Sequence, residues 1–217
     1  TQLVEDDQLW CDCTIDLHGA FLTEIADFRG ATFNRANFQD ATFNGDADFQ
    51  GATFNRANFQ DATFNGDADF QGATFNRANF QDATFNGDAY FRGATFNNVA
   101  SFRGATFNGD AYFRDAAFTN DASFQGAAFT NDAYFRDVAF NGDAYFWGAT
   151  FTNDAYFWGA TFNGDASFQD AAFNGDASFR GAAFNGDAYF WDATFNNVAN
   201  FQDATFNNVA NFQDATF

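Results

Sequence analysis

The sequence predicts an all-β solenoid, a chain wound into stacked coils of very short strands, and three observations lead there. From Phe28 onward, Phe recurs every five or six residues without a gap, 36 times in all. Ala stands two residues before each of these, with Val138 the one exception. The pairs that separate successive Ala-x-Phe units are turn formers: Asn-Gly, Gln-Gly, Gln-Asp, Asn-Arg and Arg-Gly.

Residues at i−2 and i point the same way in an extended segment, and the residue between them points the other way. Each Ala-x-Phe is therefore a strand of about three residues with Ala and Phe inward and Thr, Tyr, Ser, Asn or Ala outward. No helix fits, because at roughly 100° per residue a five-residue period drifts by about 140° each time and scatters Phe around the cylinder. The intervening pairs tolerate the left-handed and bridge conformations that tight corners need.

Grouping the repeats in fours gives coils that begin at Phe28, Phe49, Phe70, Phe91, Phe113, Phe135, Phe157, Phe179 and Phe201. The early coils run 21 residues, as in NRANFQDATFNGDADFQGATF at 34–54 and again at 55–75. After Phe91 the rhythm alternates six and five, giving 22. Nine coils at a strand spacing of roughly 4.8 Å make a rod about 43 Å long. The sixth residue is inserted 14 times, always before the Ala: 11 times Asp, from Asp46 to Asp187, and otherwise Val99, Val198 and Val209. It reads as a one-residue corner bulge, with the preceding Asn-Gly or Asn-Asp expected to supply the unusual φ.

Residues 1–27 lack the Phe rhythm and read as a cap with an imperfect first coil, ahead of the solenoid at 28–217. Cys11, Leu17, Leu22 and Phe28 are spaced 6, 5 and 6, and Ile15 and Ala20 occupy the small inward places. At the other end the pattern stops on Phe217, with no polar cap of the kind that repeat rods use. The expectation is that the chain either continues or stacks end to end. It starts at Thr1 with no Met and shows no signal peptide, so an upstream segment is expected to have been removed or left out.

Stretches such as Ala36-Asn37-Phe38-Gln39-Asp40 and Ala47-Asp48-Phe49-Gln50-Gly51 resemble the pentapeptide-repeat family, whose consensus is Ala-(Asp/Asn)-Leu/Phe-x-x. The resemblance spans 28–217. It implies a right-handed quadrilateral β-helix with four repeats to a coil, the central and i−2 residues filling the interior. The family's activities are diverse, so the resemblance carries fold further than function.

Composition agrees and narrows the function classes. Phe supplies 37 of 217 residues, and Pro, Met and Lys are absent. Disordered chains have few aromatics. A net charge of −20 argues against direct binding to nucleic acid or anionic membrane. No apolar run approaches the roughly 20 residues that span a bilayer. With one His, no Lys, and Ser and Asp only at repeated, equivalent positions, nothing is singular enough for an active site, so no enzyme is expected.

Outward residues 22 apart form columns. Tyr90, Tyr112, Tyr134 and Tyr156 stack on one face beside Arg92, Arg114, Arg136, Trp158 and Arg180. On the opposite face Tyr145 and Tyr189 alternate with Ser123 and Ser167, next to Trp147 and Trp191. Tyr and Trp favour strand surfaces for their own sake, and they are also the residues that anchor interfaces. The inserted Asp residues form two ladders, Asp88 to Asp176 and Asp121 to Asp187. Their repulsion calls for hydrogen bonds from turn amides or, alternatively, a row of divalent cations. No other cofactor is expected. Cys11, Asp12, Cys13, Asp16 and His18 could together ligate a metal, although two Cys and one His in a cap are more commonly packing residues.

Three non-catalytic functions follow. The first is a structural rod whose partner is itself, stacked end to end into a filament or joined through its lateral faces. Its Asn- and Thr-rich, Lys-free surface suits an extracellular or cell-surface setting. The second follows from the resemblance, since some pentapeptide-repeat proteins are acidic, DNA-mimicking rods that bind type II topoisomerases. Here −20 over about 48 Å is roughly 0.4 charge per Å against about 0.6 for duplex DNA. That role would place the protein in the cytoplasm, and the C-terminal dimerisation element of those mimics is missing from this sequence. The third is an interaction scaffold using the Tyr/Arg face.

Overall fold

Every repeat folds as a minimal strand followed by a corner, because the Ala-x-Phe alternation gives each strand one apolar and one polar side and only three residues before the next turn former. The computed structural model describes residues 13–217, among which there are 36 strands and no helix. Most strands are two residues long; the exceptions are Cys13–Asp16 and Thr32–Asn37. All pair in parallel with the strands one coil before and after, closing a four-sided β-solenoid of nine full turns.

The four sides are numbered here in chain order. Face 1 is a nine-strand stack from Ala26–Asp27 to Ala199–Asn200. Face 2 runs from Thr32 through Thr53–Phe54 to Thr205–Phe206. Face 3 runs from Ala36 through Ala57–Asn58 to Ala210–Asn211. Face 4 runs from Phe21–Leu22 to Thr194–Phe195. Pairing is in register by residue type, as in Ala89 opposite Ala111 and Tyr90 opposite Tyr112. Successive N–H groups along a strand point alternately to the two neighbouring coils, as on face 4, where Thr194 N–H donates back to Ala171 C=O at 2.9 Å and Phe195 N–H donates forward to Thr216 C=O at 2.8 Å.

The inward Phe and Ala are buried from Ala26 to Phe195. Within a column the rings stack nearly parallel, for example Phe91 on Phe113 at 4.8 Å and 5°. Between columns on opposite faces they meet edge to face, as Phe91 meets Phe102 at 5.3 Å and 86°. Both geometries are favourable for aromatic quadrupoles, by about 0.5–1.5 kcal/mol per pair beyond burial. Ala at the other inward position leaves room for four rings per coil without voids.

The corners are of two kinds. After faces 1 and 3 the chain makes a four-residue turn, as in Phe28-Arg29-Gly30-Ala31, closed by Ala31 N–H to Phe28 C=O at 3.1 Å. Its third residue has positive φ, 64° at Gly30 and 56° at Asp40, the type II requirement. After faces 2 and 4 the corners are wider and carry the inserted residues. The expectation that Asn-Gly supplies the unusual φ is therefore corrected: positive φ belongs to the Gln-Gly, Gln-Asp and Arg-Gly corners. Glycine serves the wide corners by close approach instead, since a Cβ on Gly109 would lie 2.4 Å from the Gly87 carbonyl oxygen.

Before Phe28, Cys13–Asp16 pairs with Thr32–Asn37, placing Ile15 opposite Ala36. Leu22 lies opposite Phe43. Leu17 and Leu22 pack against the core. Cys13 lies opposite Phe33, because an irregularity between Cys13 and Thr14 shifts the register. Cys11 and Asp12 fall outside the described residues.

Replacing Phe135, fully buried, by Ala should cost about 3–5 kcal/mol, the usual range for a large core aromatic. Replacing Thr161, outward on face 2, by Ala should cost less than about 0.5 kcal/mol. Denaturant melts of the two variants check this; equal losses would mean that inside and outside had been exchanged.

Candidate interaction faces

Once Phe and Ala are consumed by the core, the outward side chains sort by face. Faces 2 and 4 present Thr and Ala, as in the stacks around Thr95 and Thr150. Faces 1 and 3 carry the aromatic and Arg residues singled out above.

On face 1, Tyr90, Tyr112, Tyr134 and Tyr156 occupy four successive coils. Their rings stack at 5.0, 4.9 and 5.1 Å. Each phenol O–H donates to the carboxylate two residues earlier, from Tyr90 to Asp88 at 3.1 Å through Tyr156 to Asp154 at 2.8 Å. The Arg92 column runs alongside; within it the Arg136 Nε donates to Asp137 at 3.1 Å. In the fourth position of that column, Trp158 meets Tyr156 edge-on at 5.1 Å and donates its indole N–H to Ser178 of the next coil. Ser178 is buried as a result. Below the tyrosines the same column holds Asp27, Asp48 and Asp69. There Arg29 grips Asp27 through two bonds of 2.9 and 2.6 Å and holds its carboxyl below the usual range.

The inserted aspartates form the ladders that their 21- and 22-residue spacing implies. Asp110 N–H donates to Asp88 Oδ1 at 2.9 Å, Asp132 N–H to Asp110 Oδ1 at 3.2 Å, and so on to Val198 N–H on Asp176. The second ladder does the same, from Asp143 N–H on Asp121 to Val209 N–H on Asp187. Carboxylates about 4.8 Å apart repel by about 1 kcal/mol even in water, and a charge-assisted bond to each Oδ1 offsets that. Asn side chains form parallel ladders at the same corners, as in Asn185 Nδ2 to Asn163 Oδ1 at 2.8 Å.

These are the features of one architecture: a five-residue unit, four units to a coil, Phe and Ala inside, type II turns at alternate corners. Overlapping matches to the family described as Pentapeptide repeats (9 copies) run from residue 14 to residue 205. The chain belongs to the pentapeptide-repeat family. Comparisons with curated proteins and with solved structures gave no match.

Face 3 of this pentapeptide-repeat rod is built differently from face 1. Tyr145 and Tyr189 lie on alternate coils, with Ser167 between them. Their hydroxyls bond Asp143 and Asp187 at 3.0 and 2.8 Å. Trp147 donates its indole N–H to Asp170 at 2.8 Å, and Trp191 meets Tyr189 edge-on at 5.9 Å. The side chains of this face leave an open notch of about 470 Å³ that runs from Ser123 past Ser167 to Trp191. The two patches thus lie on opposite sides of the rod and do not form one site.

The described part of the Cys/His cluster is occupied otherwise. Asp16 accepts from His18 N–H at 3.1 Å and Asn37 at 3.0 Å, and His18 Nδ1 lies 3.0 Å from the Gln39 carbonyl. Among the described residues no group of three or more His, Cys, Asp or Glu is disposed to hold a metal ion. No helix among them is long and apolar enough to cross a membrane. The Tyr–Asp pairs are what reading the sequence by columns missed. The signal was present, because all six Tyr follow Asp-Ala.

Burial, then the bond to Asp88, pushes the Tyr90 phenol up to about 12; Tyr134 rises to about 12 for the same two reasons, with Asp132 its partner. Tyr112 and Tyr156 move in the same direction. A phenol whose folded value exceeds its unfolded value near 10 contributes its stability in full below about pH 10. That contribution is lost as pH climbs through the folded value. The rod should therefore weaken above about pH 10, and phenolate absorbance of the folded protein should emerge late, around pH 12 for Tyr90 and Tyr134. Titration of all six phenols near pH 10 in the folded protein would contradict the ladder.

Proposed function

We propose that this protein is a non-catalytic structural rod that holds aromatic and Arg side chains at coil-by-coil intervals on two opposite faces, for contact with protein partners. The first such partner is another copy of itself. The observation that carries this reading is the sorting of outward residues. Four Tyr and five Arg occupy the columns of face 1, and Trp147, Trp158 and Trp191 stand 46, 41 and 37 % exposed on faces 1 and 3. Strand propensity alone would have distributed them over all four faces. Exposed Tyr, Trp and Arg in register are the residue types that supply most interface energy. A net charge of −20 opposes association between copies, and added salt screens that repulsion.

Sedimentation velocity over a concentration and salt series tests the reading. Association should strengthen as salt rises. It should be lost when Tyr112→Ser, Trp147→Gln and Trp158→Gln are combined, and retained when Thr95→Ser, Thr150→Ser and Thr161→Ser are combined. End-to-end stacking into filaments would instead give species that lengthen with concentration regardless of either set. A monomer under every condition would remove self-association from the proposal.

A further inference from the structure

Face 3 contains the outline of a missing tyrosine. On face 1 four Tyr stack on consecutive coils at 4.9–5.1 Å, each hydroxyl donating to the Asp two residues before it. On face 3 the same arrangement skips a coil. Tyr145 and Tyr189 keep their bonds to Asp143 and Asp187, but the residue between them is Ser167. Two strand spacings separate the two tyrosines, about 10 Å, twice the distance at which flat rings stack.

The acid of the skipped coil is still there. Asp165 Oδ1 accepts the Asp187 N–H at 2.9 Å, as in every other rung. Its Oδ2, which in the coils on either side receives a phenol, receives no hydrogen bond, and neither the Ser167 hydroxyl nor the Gln169 amide is paired. All three groups border the notch, in the part of it that lies between the Tyr145 and Tyr189 coils.

The rod resolves the same vacancy differently on face 1. There Ser178 follows Tyr156 in the column, and Trp158 leans across to bond and bury it. On face 3 the corresponding indole, Trp147, bonds Asp170 at the corner instead, and Ser167 stays accessible. The notch therefore has stacking surfaces on both sides, an unpaired carboxylate oxygen at the depth where a phenol oxygen sits in the neighbouring coils, and no internal side chain that fills it.

The geometry points to a binding slot for a phenol, a single planar aromatic ring that stacks between Tyr145 and Tyr189 and donates its hydroxyl to Asp165 Oδ2. The two sources of that chemistry are a free small phenol and the tyrosyl side chain of a peptide. The inference does not depend on self-association of the rod.

The test is an NMR titration of the purified protein, following the indole N–H signals of Trp147 and Trp191, with p-cresol, toluene and the peptide Gly-Tyr-Gly as probes. p-Cresol should shift both signals saturably and bind at least about tenfold more tightly than toluene, the usual gain from a hydrogen bond to a charged acceptor. Asp165→Asn keeps an oxygen for the Asp187 N–H but offers a donor where the phenol needs an acceptor. It should reduce p-cresol to the level of toluene. Ser167→Tyr recreates the Asp-Ala-Tyr unit of the other coils, so it should fold, raise the melting temperature and abolish binding. Binding of p-cresol without Gly-Tyr-Gly would assign the slot to small phenols; binding of both would extend it to tyrosyl side chains. The inference is overturned if neither probe shifts the indole signals, if toluene binds as well as p-cresol, or if Ser167→Tyr leaves binding intact.

Discussion

Parallel strands stack at roughly 4.8 Å, and two benzene rings slightly slipped or tilted attract at the same distance. The whole rod depends on that coincidence. Because the spacing that satisfies the backbone also satisfies the rings, a Phe can sit above a Phe in every coil without compromise, from Phe28 on Phe49 to Phe195 on Phe217. Four such columns leave space for nothing larger than Ala at the remaining inward places, with Val138 accommodated once. Repetition is thus a requirement of the core: 21- and 22-residue coils stack alike because the extra residue is taken up at a corner, whereas a coil without its four Phe would break the columns on both sides of it.

The same stacking creates the problem that the surface must solve. Identical residues in adjacent coils bring identical charges and identical polar groups to within about 4.8 Å of one another. Groups that both donate and accept turn this into an advantage, so Asn makes ladders along the wide corners. Aspartate cannot donate. Its ladder works because the inserted residue adds one backbone N–H per coil, aimed at the carboxylate beneath, as in Asp88 N–H on Asp67 Oδ1 at 2.9 Å. Apart from Val99, below the start of the second ladder, the inserted residue is Asp until the last coil, where Val198 and Val209 close the two ladders by donating without accepting. Tyrosine takes the second carboxylate oxygen, which ties the aromatic columns of faces 1 and 3 to the corner chemistry.

Most of the fold is legible in the sequence because one residue type at one spacing determines it. Phe and Ala are so regular that burial, strand position and coil length can be read directly. What could not be read is whatever depends on contact between coils. Gly109 looks like a turn residue and is in fact a close-approach residue under the Gly87 carbonyl, a distinction that only the neighbouring coil makes. Cys13, two residues from the position that spacing alone suggests, lies opposite Phe33 because an irregularity absorbs the difference. The columns on faces 1 and 3 could be written down from a 22-residue period. The bonds within Asp-Ala-Tyr could not be, since the alternation that places Tyr outward says nothing of how its hydroxyl turns. The notch at Ser167 was visible only as an alternation of Tyr and Ser, and its depth depends on where the Trp147 indole goes.

If the columns determine the fold, the coil is the unit that can be removed, and a single repeat is not. Excising residues 124–145 joins Ser123 to Phe146 and lowers every later residue by one coil, since Ala122 and Ala144 already lie opposite one another. Excising 124–128 instead joins Ser123 to Phe129 and turns every later corner onto the wrong face, setting type II turns over wide corners. Thermal melts followed by circular dichroism compare the two deletions directly. The account predicts a cooperative transition close to that of the intact chain for the 124–145 deletion, and a large loss of stability or of cooperativity for 124–128. Equal tolerance of both deletions would contradict it, because the coils would then be held together by something other than residue-by-residue stacking.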